Sequence, residues 1–154
     1  MTRTSLSLLF LLLAVGLFAQ APHQHTRAIH FPDVPVYQTL VCDFHQHTVF
    51  SDGSVWPDIR VQEARRDSID AISMTEHLEY QPHGTDIPHP DRNRSYEIPE
   101  RTARPYDLLV IPGAEITRGL PPGHNNAIFI EDPNNPLIED PVEAFREANP
   151  QAGF

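Results

Sequence analysis

The chain has 154 residues, with 21 acidic against 11 basic side chains and a formal charge of -10 when its nine His are neutral. That length holds one domain at most, and 40% apolar with 21% charged residues excludes wholesale disorder, a collagenous repeat and a many-span membrane protein. Every basic side chain is Arg, and the acidic surplus argues against a sequence-independent polyanion binder, so no stable nucleic-acid binding is expected.

In chain order, Met1 to Gln20 runs from one positive charge at Arg3 through the apolar stretch Leu8 to Ala19 and turns polar at Gln20. This reads as a signal peptide, residues 1–21 with cleavage after Ala19 or Ala21. The apolar run is shorter than the roughly 20 residues that a permanent spanning helix needs. The mature protein is therefore expected to be exported, periplasmic or secreted, with no membrane anchor. Residues 22–38 carry His23, His25 and His30, three Pro and no helical or alternating period, and read as an extended arm.

The fold proper begins near Thr39. Leu40-Val41-Cys42-Asp43-Phe44 is rich in strand formers and leads into His45-Gln46-His47-Thr48, a strand with chemistry at its carboxyl end. Cys42 is expected to be a small buried core residue. After the turn cluster Ser51-Asp52-Gly53-Ser54, Pro57 suits the first turn of a helix to about Ser68. A second strand, Ala71 to Met74, ends in Thr75-Glu76-His77. Leu78 to Pro105 is a long Pro-rich, charged connection with one short helix around Tyr96 to Ala103, and connections of that length are usually functional or mobile. Leu108 to Ile111 is a third strand closed by Pro112-Gly113-Ala114-Glu115. Ala127 to Ile130 is a fourth, preceded by Gly123-His124-Asn125-Asn126, and a last helix starts at Pro141. Strand, helix, strand with polar groups at successive strand ends is the grammar of an α/β barrel.

His45 and His47 stand two apart at a strand, where alternate side chains share a face, so both imidazoles can reach one ion. Asp52, His77, Glu115 and His124 follow at or just beyond strand ends, which in a barrel gather at one mouth. Imidazole with carboxylate is the donor mixture of Zn, Mn or Fe sites.

Four ordered strings, Asp43-Phe44-His45-Gln46-His47-Thr48, Ser51-Asp52-Gly53, Thr75-Glu76-His77 and Pro112-Gly113-Ala114-Glu115, resemble the PHP (polymerase and histidinol phosphatase) domain family. More narrowly, Thr75 to Tyr80 with Ile87 to Arg94 is similar to exported PHP-type phosphodiesterases. The resemblance covers residues 39–154. It implies a distorted seven-stranded (β/α) barrel, of which the amino-terminal part is present, because the family's later His and Asp-x-His motifs do not follow. The chain is accordingly read as part of a longer enzyme.

The resemblance further implies two or three divalent transition metals, Zn, Mn or Fe, and hydrolysis of a small phosphate ester, by phosphodiesterase or phosphatase action, through a metal-activated water. His45 and His47 would hold one ion, Glu115 would bridge it to a second shared with His124, and Asp52 with His77 would hold a third. Asp43 and Glu76 are expected to support these ligands from behind rather than bind metal. Arg118, Arg92 and Arg94 are candidates for phosphate, since a guanidinium fork matches its oxygens. His83 and His89 read as surface loop residues, and Tyr80 and Trp56 as core caps or walls of a leaving-group pocket. The rival readings are an amidohydrolase-like metal hydrolase, which the Ser51-Asp52-Gly53 and Pro112-Gly113-Ala114-Glu115 strings fit poorly, and a truncated, inactive metal-binding module.

Overall fold

A computed structural model describes residues 31–151. The signal segment at residues 1–21 and His23, His25 and His30 of the arm lie outside the described residues. Residues 31–38 run exposed into the domain, with one isolated antiparallel bridge between Val34 and Tyr37.

Seven elements follow: β1 (Cys42–Gln46), α1 (Pro57–Arg66), β2 (Ala71–Met74), α2 (Arg94–Ala103), β3 (Leu109–Ile116), β4 (Asn125–Ile128) and α3 (Pro141–Gln151). The strands form one sheet in the order β1-β2-β3-β4, parallel across β1, β2 and β3 and antiparallel between β3 and β4. The result is an α/β fold with a curled, four-stranded half-barrel. No helix among the described residues is long and apolar enough to cross a membrane.

Local sequence accounts for most of these elements. Pro57 opens α1, Asp58 stands in its first turn and Arg65 and Arg66 in its last, each sign matched to the helix dipole. Residues 57, 61 and 64 form its buried stripe. In α2 the buried residues Ser95, Pro99 and Ala103 recur every fourth position. Both helices pack on one face of the sheet, where Val61, Ala64, Ile72, Met74, Ala103 and Leu108 make one core cluster. A second cluster, Leu78, Ala114, Ile116, Ile130, Ala144 and Ala148, seats α3 on β3. Each fully buried large aliphatic side chain contributes roughly 1.5–3 kcal/mol relative to exposure.

The helix-covered face therefore takes Ile72 and Met74 of β2 and Ala114 and Ile116 of β3. The opposite face takes Ser73, Gly113 and Glu115 and, just beyond β2, Thr75 and His77, since Ser73 pairs with Ile111 and His77 bridges to Glu115. β1 starts in the same phase, Cys42 opposite Ala71 and Asp43 opposite Ile72, but Gln46 then stands opposite Met74. Three steps on β1 match two on β2, a β-bulge. One extra residue reverses the facing of everything after it. Without it His45 and His47 would point toward the helices; with it they share the face of Thr75, His77 and Glu115.

Three sequence expectations are corrected here. β3 runs through Pro112-Gly113 to Ile116 instead of closing there, because its partner β4 continues the pairing at Gly113 to Ile116. β4 lies two residues earlier than expected: Phe129 adopts a φ of 59°, which breaks the strand and turns Ile130 into the core. β4 is also antiparallel, since the connection from Thr117 to His124 is shorter than the dozen or so residues of a parallel crossover. Cys42 is exposed rather than buried, because β1 is the sheet's edge strand among the described residues and Cys42 sits on the face away from the helices.

Candidate metal centre

Glu115 is the hub of the exposed mouth of the sheet. Its side chain is 2% exposed, and four imidazoles surround it. His45 Nε2 lies 3.0 Å and His47 Nε2 3.2 Å from Oε2, while His77 Nδ1 lies 3.4 Å and His124 Nδ1 2.6 Å from Oε1. Asp52 closes the far side, 3.3 Å from His47 Nδ1 and 3.5 Å from His77 Nε2. The rings form an arc, with centroids 5.0 Å apart from His45 to His47, 4.5 Å from His47 to His77 and 5.2 Å from His77 to His124.

These contacts resolve into three triads, each with ligand-capable atoms within 4.8 Å of one another: His45, His47 and Glu115; His47, Asp52 and His77; His77, Glu115 and His124. All six residues singled out in the sequence are thus brought together. The depth is graded: His77 is 8% exposed at the floor, His45 and His124 are 56% and 54% exposed at the rim. A buried carboxylate needs compensating positive charge or donors, and the donor set around this one, imidazole nitrogen with carboxylate oxygen, suits divalent transition metals.

Beneath the arc lies a supporting layer. Glu76 is buried and accepts from Thr48 N at 3.0 Å, from Thr48 Oγ1 at 2.5 Å and from Ser51 Oγ, and that Ser51 hydroxyl stands 3.2 Å from His47 Nδ1. Glu76 therefore reaches His47 through Ser51. Asp43 accepts from the backbone N–H of His45 and from the Gln46 amide, so it holds the His45 backbone in place. Thr117 Oγ1 lies 2.8 Å from His77 Nδ1. Burial, followed by the neighbouring His77, pushes the His47 pKa below its ordinary value against the pull of Glu115, Glu76 and Asp52. That shift favours the neutral imidazole, the form that binds metal.

Two backbone devices hold the ligands. Arg60 of α1 donates through Nε and Nη2 to the His47 carbonyl at 3.1 and 2.9 Å, and Gly53 packs so tightly that a Cβ there would fall 2.6 Å from the same oxygen. Gly123, at φ 85°, turns the chain into His124 in a conformation that favours glycine. Arg60 and Thr117 were not legible as functional residues. The partner of Arg60 is a backbone carbonyl, and that of Thr117 is a ring forty residues away.

The arginines expected at phosphate are occupied elsewhere. Arg118 donates to Glu79 and to the carbonyls of Thr117 and Ile138. Arg92 is partly buried, which lowers its pKa, and donates to the carbonyls of His89 and Leu78. Arg94 lies over the Phe50 ring at 5.2 Å. His89 is buried rather than exposed, with Nε2 2.6 Å from the Phe50 carbonyl and Nδ1 2.5 Å from that of Ile87, so it ties the long loop to the segment that carries Asp52. His83 stays at the loop surface, half-buried. Trp56 packs edge-on against Phe50, and Tyr80 against His77 beside the arc.

No protein-family model and no curated protein matches the chain. Among solved structures, it is similar to a two-domain protein from Bacteroides vulgatus containing a predicted PHP-like metal-dependent phosphoesterase. The identity is 53%, the TM-score is 0.77, and the match covers 80% of this chain and 36% of that one. The chain thus spans about a third of the length of that structure. A second structure, from Bifidobacterium adolescentis, is 20% identical over 71% of this chain and 33% of its own, at a TM-score of 0.49.

Proposed function

We propose that the chain supplies the first part of the metal centre of an exported, PHP-type metal-dependent phosphoesterase acting on small phosphate esters, its barrel completed by further strands. The observation that carries this reading is the buried Glu115 carboxylate within 2.6–3.4 Å of four imidazoles. The 53% identity to a protein named for such chemistry supports it. Bound divalent ions would supply Lewis acidity, neutralising phosphate oxygens and activating water.

The chain's own groups set which atoms would hold those ions. His47 presents Nε2 toward Glu115 and His45 while Ser51 and Glu76 back its Nδ1, so these three residues would hold one ion. His77 has Nδ1 engaged by Thr117 and presents Nε2 toward Asp52, which pairs those two on another. His124 and the second oxygen of Glu115 remain for a third position. Such partner contacts fix the tautomer and the ring orientation of a ligating His. Glu115 would hold two of those positions together, because its two oxygens face different imidazoles. The exposed rim at His45 and His124 is the open side, where an ester can approach, while His77 and Glu115 form the buried floor.

The test is hydrolysis of bis(p-nitrophenyl) phosphate and p-nitrophenyl phosphate by the protein at its natural length. Turnover that a chelator abolishes and a divalent metal restores supports the phosphoesterase, and the preferred ester separates diesterase from phosphatase. A folded protein without metal-dependent hydrolysis of either ester contradicts it and leaves an inactive metal-binding module.

A further inference from the structure

Beside the metal arc lies a pocket of about 490 Å³ lined by Glu79, Thr117, Arg118, Gly119, Leu137, Ile138 and Glu139. Its position follows from the chain beyond the strand ends. His77 and Glu115 face the mouth as a bridged pair, and Glu79 and Thr117 each lie two residues further along, past the ends of β2 and β3. The two rows are tied across: Thr117 N donates to Glu79 Oε2 at 2.8 Å, and Thr117 Oγ1 reaches His77 Nδ1 at 2.8 Å. An ester whose phosphate sits at the arc would extend its organic group into this pocket.

The lining says what that group is. Arg118, the only cation among these residues, is committed to Glu79 and to two carbonyls, so it offers little to a second phosphate or a carboxylate. Glu79 and Glu139 against Arg118 leave the pocket net negative, which repels anionic substituents. Leu137 and Ile138 give it exposed apolar wall. We infer that this pocket is the subsite for the leaving-group alcohol and that it selects an uncharged, apolar alcohol over small or anionic ones. The inference rests on the phosphoesterase reading.

Gly119 provides the test. Gly119 lines the pocket, a Cβ there meets nothing within 4 Å and its φ lies outside the left-handed region, so Gly119→Leu adds apolar bulk at the pocket lining without a backbone clash. Benzyl and methyl phosphates, as mono- or diesters according to which the protein hydrolyses, have alkoxide leaving groups of similar basicity and differ in bulk. In the metal-loaded protein at its natural length, wild type should prefer the benzyl ester. Gly119→Leu should lower kcat/KM for that ester at least tenfold while changing the methyl ester less than twofold, and Leu137→Ser should move the ratio the same way. Equal effects on both esters, or none, would overturn the subsite and leave the phosphoesterase standing. Hydrolysis of the p-nitrophenyl esters but of neither benzyl nor methyl ester would overturn the subsite alone, and hydrolysis of none of them would overturn the phosphoesterase reading with it.

Discussion

At the scale of single residues, the centre depends on a few groups whose replacement separates binding from support. His45 and His47 both face one Glu115 oxygen, so the double variant His45→Ala, His47→Ala should lose a metal equivalent and at least a hundredfold in turnover. Retained activity with full metal load would remove them from the site. Glu76 touches no imidazole directly and reaches His47 through Ser51. Partners of this kind typically carry about 10–100-fold in metal affinity, so Glu76→Gln should weaken metal binding by that order while the fold persists. A metal titration of both proteins checks it, and an unchanged affinity would reduce Glu76 to packing. Gly53 meets the His47 carbonyl, itself held by Arg60. Gly53→Ala must push backbone against backbone and should cost about 1–3 kcal/mol, the usual range for overpacking, read as a lowered denaturation midpoint.

At the scale of elements, the sequence was legible where local chemistry decides and silent where register decides. β2 lies where its apolar run put it, at Ala71 to Met74, and α1 starts at Pro57 because a proline at the first helical position has no N–H to satisfy. The motif residues were legible too, since their spacing on strand ends is a local pattern. The bulge that turns His45 and His47 to the mouth was not, because it is a relation between β1 and β2. Nor was the break at Phe129, where nothing in Ala127 to Ile130 marks a left-handed residue. Arg118 looked free for phosphate because Glu79, its partner, lies 39 positions earlier.

A loop clamp gives the pH prediction at this scale. Asn134 bonds Asp91 and Asp132 through its side-chain amide, and Asn93 bonds Asp132 as well. The Asn134 side chain foremost lowers the Asp91 pKa, and the Asn134 backbone N–H foremost lowers that of Asp132. Carboxylates depressed in the fold stabilise it fully above their ordinary value near 3.8, and that stabilisation is lost as pH falls through the folded-state pKa. Between pH 5 and pH 3, Asn134→Ala should therefore show a shallower fall in Tm than wild type; parallel curves would show that the clamp is not coupled to folding.

At the scale of the molecule, the helices and two core clusters occupy one face of a curled sheet and leave the other face to a buried carboxylate and its imidazoles. Such a face is costly without cations, so metal binding should raise the stability of the whole fold by mass action, and a chelator should lower Tm reversibly.

Whether Glu115 joins two metal positions is decided by metal analysis of purified wild type beside Glu115→Gln, in the protein at its natural length. Wild type should hold two or three divalent transition-metal equivalents and the variant should lose two of them, because each carboxylate oxygen faces its own pair of imidazoles. A metal-free wild type, or a variant that keeps its full load or loses a single equivalent, would contradict it.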